Sequence, residues 1–371
     1  MSIRPVRIAG TGSFLPGPPV PNDKVESVLG TLDAAPPKVK SFVSNLGQKM
    51  LDRGGVHTRH FAVDPETGDM THSFSSLAEQ AARRAMESAE IEPQQLDLVI
   101  ISCPSYDHST PPTSALLQER LGVQNCAEIE VHSNCSGVGK SMQIALDAIR
   151  SGRYETALVA YSQLSSIYLR SCYYNQPKMD KVHAALRWIL ADGAGAVVLQ
   201  AGDEGDETHR IIDTFVESVG AGRPAGMTAG GAAADLMDVK TQIPELYERG
   251  NHHLWQDFTA VNENAAPLLL QGLINFTTRL NIDPSTVDHY VVSIPTTQLY
   301  EDHIPAFLDR LGITRDKIKF RSNSVGYCGG AATVLHFDEM IRDGEIKSGD
   351  LAIVHAVESS KWMTAGFAVR W

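Results

Sequence analysis

A chain that repeats its own motifs at a fixed spacing folds as two copies of one unit, and this chain does so. "IEPQQLDLVIIS", starting at Ile91, is answered by "IDPSTVDHYVVS", starting at Ile282. Each follows an amphipathic stretch ("SSLAEQAARRAMESA" and "APLLLQGLINFTTRL"), so each reads as a helix, an acidic-Pro turn and a buried β-branched strand. Further along, "LQERLGV" (117–123) answers "LDRLGI" (308–313), and Ser133-Asn134 answers Ser322-Asn323. Two halves that each read strand–helix–strand–helix–strand predict a duplicated α/β fold, because right-handed βαβ units repeat by stacking their sheets. The expected halves are 1–200 and 208–371, with "AGDEGDE" (201–207) as the seam.

Composition narrows the function classes. Apolar residues make up 43% of the chain and charged residues 20%, as in a globular protein with a sizeable core. No apolar run approaches the length needed to span a bilayer. "MSIRPVRIAGTGSF" leads straight into a strand-like segment, so a cytoplasmic protein is expected. The net charge of −12 argues against nucleic acid as a partner, and an acidic carrier protein would need a local basic patch. The five cysteines include no C-x-x-C pair, so neither a zinc site nor a disulfide scaffold is expected.

One cysteine stands apart. In "VHSNCSGVGKS" (131–141), "EIEVH" alternates like a half-buried strand. Beyond it, Met142, Ala145, Leu146 and Ile149 fall at helical spacing, with Gly152 as the stop. Cys135 therefore lies at a strand-to-helix junction. Gly137 and Gly139 relieve crowding there, and a helix N-terminus favours thiolate over thiol. Its N–H groups also suit the oxyanion of a tetrahedral intermediate. The competing reading is a buried, inert small residue.

Several stretches together resemble the thiolase-fold condensing enzymes, and within them the β-ketoacyl-ACP synthase III family. They are "VRIAGTGSFLPGPPVPND", "RGGVHTRHFA" (53–62), "SNCSGVGKSMQIALDAIRSGRYETALVAYS", "LADGAGAVVLQ" (190–200) and "DEMIRDGEIKSGDLAIVHAV". The resemblance implies a thiolase-like duplicated αβαβα fold of five layers, in a homodimer. It also implies a ping-pong acyltransferase in which Cys135 captures an acyl group from a CoA or acyl-carrier-protein thioester, with no cofactor. Cys135 would contribute its backbone N–H to the oxyanion hole. Arg53 opens the segment that resembles the family's Arg-Thr-Gly-Ile-x-x-Arg, and is expected at the substrate.

The family's usual His and Asn are missing. After "VDHYVVS" comes "SIPTTQL" (293–299), where the His position falls on Thr296 in one alignment and on Ser293 in another. The Asn position falls on Tyr327, with Asn323 the nearest amide. The terminal glycine loop, which completes the oxyanion hole, reads Glu358, Ser359 and Ser360, and Lys49 stands where a Trp is expected. Glu358 and His303 are weighed as bases but read as ordinary surface or helix residues. His132 reads as structural. Without imidazole and amide an enolate is poorly stabilised.

The expected function is an acyltransferase of specialised, polyketide- or fatty-acid-like metabolism. The alternatives are a decarboxylating synthase in which Ser293 or Thr296 replaces the His and Tyr327 or Asn323 the Asn, or a non-catalytic subunit of a hetero-oligomer. The stretches 22–53 and 220–238 are candidate covers for the acyl tunnel.

Overall fold

A computed structural model describes residues 4–205, 207–237 and 242–371; Asp206 in the expected seam and Asp238 at the end of the second cover stretch lie outside them. The ten-stranded sheet takes five strands from the first half: β1 (Val6–Phe14), β2 (Leu98–Cys103), β3 (Ala127–His132), β4 (Thr156–Leu164) and β5 (Asp192–Ala201). Five come from the second: β6 (Arg210–Ser218), β7 (His289–Val292), β8 (Ile318–Lys319), β9 (Leu351–Glu358) and β10 (Met363–Arg370).

The strands lie in the order β3-β2-β4-β5-β1 in the first half and β8-β7-β9-β10-β6 in the second. Numbered within its own half, each sheet reads 3-2-4-5-1, with the same mixture of parallel and antiparallel neighbours. The two sheets join edge to edge at the pair Arg7–Arg210 between β1 and β6. Repetition in the sequence has become repetition of topology.

Seven helices position the site: α1 (Phe74–Ser88), α2 (Thr113–Leu121), α3 (Gly137–Arg150), α4 (Lys181–Ile189), α5 (Phe258–Arg279), α6 (Thr297–Leu311) and α7 (Ala331–Arg342). Helices α3 and α7 lie between the sheets, each touching strands of both. Helix α1 covers the outer face of the first sheet and packs on α2, while α5 covers the second and packs on α6. These are the five layers. The buried face of α3 is Met142, Ala145, Leu146 and Ile149, and Gly152 follows the helix with φ +74°. Periodicity alone marks both.

Glycine is dictated at the start of α3 by close approach. A Cβ on Gly137 would lie 2.0 Å from Ser102 Oγ, and one on Gly139 would lie 2.5 Å from the backbone nitrogen of Gly366 on β10. The first turn of the helix is thus pressed between the two sheets. Segment 22–53 folds into the helices Val25–Leu29, Pro37–Val43 and Leu46–Lys49, whose apolar side chains share a core cluster with α4. It packs beside the site and lines neither cavity at the cysteine.

Candidate active site

Cys135 sits one residue before Ser136, the N-cap of α3, where the chain leaves the end of β3. Two cavities meet at it. The larger, about 440 Å³, runs toward α5 and α6 and is lined by residues such as Leu190, Met227, Phe258, Leu269 and Val357. The smaller, about 180 Å³, lies on the β3 side and includes His132, Asn134 and Gln163. Leu190, Met227 and Tyr327 border both. Of the two cover stretches, 220–238 supplies Met227, Thr228 and Ala229 to these walls.

The polar groups come from the second half. Tyr327 Oη donates to Cys135 Sγ over 3.0 Å, and Ser293 Oγ lies 3.3 Å from Tyr327 Oη. Both partners are buried, Ser293 at the end of β7 and Tyr327 in the loop before α7. This geometry separates the two positions the sequence leaves open for the absent His. Ser293 joins the chain of hydroxyls. Thr296 lines the larger cavity, but its side chain is the N-cap of α6 and accepts from Leu299 N at 3.2 Å.

Other residues fall elsewhere. Asn323 is in the short helix Ser322–Val325, its carbonyl accepting from His57 N at 2.8 Å, and it lines neither cavity at Cys135. Arg53 is exposed in the turn Met50–Gly54 and lines neither cavity. Ser324, opposite Cys135 when the repeats are matched at Ser133-Asn134 and Ser322-Asn323, is exposed, with its carbonyl held by Thr58. The cause is a longer loop before α7, which carries Tyr327 to the cysteine. His303 lies on α6 and borders neither cavity. His132 is exposed and borders the smaller one.

Glu358 is the largest departure from expectation. It is neither a surface nor a helix residue: it ends β9 and is 6% exposed. Its Oε2 accepts from Ser133 Oγ (2.8 Å), from Ser136 N (3.2 Å) and from Ser136 Oγ, and its Oε1 accepts from Ser360 Oγ (2.5 Å). Lys140 Nζ donates to Ser133 Oγ at 2.7 Å. Burial pushes the Glu358 carboxyl up, but the hydrogen bonds from Ser136, Ser360 and Ser133, with Lys140, outweigh it and hold the group below its usual range. Ser360 is therefore turned toward Glu358, while Ser359 borders the larger cavity. Of this network the sequence offers one signal, an acid where the resemblance leads one to expect glycine.

The thiol also differs from expectation. A helix N-terminus alone would favour thiolate. Here burial pushes Cys135 up to about 12; the Tyr327 hydrogen bond opposes this and the charge of Glu358 adds to it. Burial thus favours the thiol form of Cys135.

Comparison with known proteins identifies the scaffold. The sequence model for 3-oxoacyl-[acyl-carrier-protein] synthase III matches residues 129–220, and that for the C-terminal part of the same family matches 278–371, together just over half of the chain. The chain belongs to the 3-oxoacyl-[acyl-carrier-protein] synthase III family. A β-ketoacyl-[acyl-carrier-protein] synthase III of Methylococcus capsulatus is 29% identical over 356 residues, 94% of each chain. Among solved structures, the tetronic acid condensing enzyme AbyA1 superposes with a TM-score of 0.78 at 23% identity, over 99% of this chain and 100% of that one. The synthase III of Aquifex aeolicus gives 0.76 at 20% identity, with 99% and 100% covered. The fold is thus thiolase-like, and the synthase III family is one of condensing, acyl-transferring enzymes. No helix among the described residues is long and apolar enough to cross a membrane.

Proposed function

We propose that this family member is an acyltransferase that loads an acyl group onto Cys135 and passes it to a second substrate in specialised, polyketide- or fatty-acid-like metabolism. The observation that carries the reading is the Tyr327 hydroxyl on Cys135 Sγ, at the meeting of two cavities of which the larger has no histidine among its lining residues. The donor is a CoA or acyl-carrier-protein thioester, and no resident cofactor is required. Cys135 sulfur bonds to the carbonyl carbon, the donor's C–S bond breaks, and the thiol proton leaves with the departing thiol. Tyr327 holds the sulfur in place during that transfer. The backbone N–H of Cys135, with that of Ser359 or Ser360, receives the carbonyl oxygen. In the second step the acceptor attacks, the C–S bond to Cys135 breaks and the acceptor's proton returns to the thiol.

Among the described residues no strand pairs with the outer edge of β3, which favours a homodimer, since an unpaired edge strand is a template for pairing with another chain. A second reading, decarboxylating condensation, is supported by the Ser293–Tyr327 contact, which sets two hydroxyls where an enolate oxygen needs donors.

Intact-protein mass spectrometry after incubation with acyl-CoA and acyl-carrier donors tests the reading. The expected result is one acyl mass, absent from Cys135→Ala. No adduct with any donor, or one that survives the substitution, overturns it and favours a non-catalytic subunit. Release of CO2 from a malonyl thioester selects the second reading.

A further inference from the structure

The carboxylate of Glu358 comes from the second half of the chain and ends on the turn that carries the nucleophile. Three of its hydrogen bonds fall on Ser133 and Ser136, the residues on either side of Asn134-Cys135. A fourth falls on Ser360, beside Ser359 in the loop that borders the larger cavity. One buried anion therefore sets the nucleophile turn against the loop on the opposite wall.

It also occupies the N-terminus of α3. Ser136 N, one of the free donors at that end, is bonded to Glu358. The positive end of the helix that would otherwise stabilise a thiolate is thus already compensated by a carboxylate. The titratable and charged groups facing this point are Tyr327 from the loop before α7, Tyr161 from β4, and Lys140 from α3, which reaches Glu358 through Ser133.

We propose that Glu358 is a positioning residue: it clasps the Ser133–Ser136 turn so that Cys135 meets Tyr327, and its charge restrains ionisation of the thiol. The inference rests on Cys135 as the nucleophile of the proposed acyl transfer. A direct anion beside the sulfur and a neutralised helix end act in the same direction. Tyr327 acts in the other.

Alkylation by iodoacetamide tests this without any acyl donor, so a failure of the acyl-transfer reading is seen separately. Rates are followed at pH 7 by mass mapping of each cysteine, in the wild type and in Glu358→Gln, which keeps the shape and removes the charge. Cys103 and Cys328 are fully buried and report an intact fold by staying unmodified. Cys135 in Glu358→Gln is expected to react about tenfold faster, the equivalent of one pKa unit. An unchanged or slower rate with Cys103 and Cys328 protected overturns the proposal.

If those two cysteines also react, the fold has opened and Glu358→Asp decides. That variant keeps the charge but withdraws it by one methylene. Alkylation of Cys135 within about twofold of wild type, with Cys103 and Cys328 protected, is expected. A tenfold rise in alkylation of Cys135 overturns the proposal.

Discussion

The hydroxyl of Tyr327 donates to the sulfur of Cys135 across 3.0 Å, although 192 residues of chain separate them. It favours the thiolate against burial and the charge of Glu358. Tyr327→Phe removes the only atom that makes this bond. Acyl loading is expected to fall about 10- to 100-fold, the equivalent of losing one hydrogen bond to a developing thiolate. Alkylation of Cys135 should slow as well, the reverse of the Glu358→Gln result. Single-turnover loading and iodoacetamide rates check both.

Ser293 and Thr296 are three residues apart and separate cleanly. Ser293→Ala removes the hydroxyl behind Tyr327 and should lower loading about tenfold, with stability little changed. Thr296→Ala removes the N-cap of α6 and should cost about 1 kcal/mol of stability while loading is retained. Urea melts beside loading rates distinguish them. The reverse pattern would show that Thr296 is the residue at the chemistry.

Gly139→Ala probes the central layer. Its Cβ would meet Gly366 N at 2.5 Å and the Ala365 side chain at 2.6 Å, all on a neighbouring strand with no flexible side chain to give way. A loss of about 1–3 kcal/mol is expected in urea unfolding. A stability equal to wild type would mean that α3 can move away from β10.

Acid should destabilise the fold through three buried histidines. Burial lowers His253 to about 4, with help from His183 and His252, and lowers His336 and His355 to about 3. These groups stay neutral in the folded chain but bind protons once unfolded, below about 6.5. Stability is therefore full above that pH and is lost as the pH falls toward 4 and then 3. Asp192, raised to about 6 by burial, and Glu339, also raised by burial, work the opposite way, but the three histidines are joined by His60, His72 and His183, which burial also lowers. Thermal melts at pH 7, 6 and 5 should show a falling midpoint, with a shallower slope in His355→Leu.

The architecture was legible because duplication is written in periodicity and order, which survive without knowledge of contacts. The buried face of α3 and the place of Cys135 follow from spacing alone. Matching the family's pattern brought Ser293 and Tyr327 into view, but Ser293 could not be told from Thr296. That distinction depends on which hydroxyl is spent on capping a helix, and capping geometry is three-dimensional. Glu358 was misplaced for a related reason: an acid late in the chain reads as solvated until its three serine partners are known. The thiol's state could not be read either, since it depends on burial and on an anion 223 positions away in the sequence.

The order in which a ribosome makes this chain gives the split site a further meaning. Cys135 is synthesised 192 residues before the tyrosine that addresses it, and Ser136 222 residues before the acid that clasps it. A first half emerging alone carries Cys135 without the larger cavity beside it, because the wall formed by α5, Ser293 and Val357 does not yet exist. The proposed loading at Cys135 therefore needs both halves docked, because the larger cavity and the Tyr327 contact exist only then.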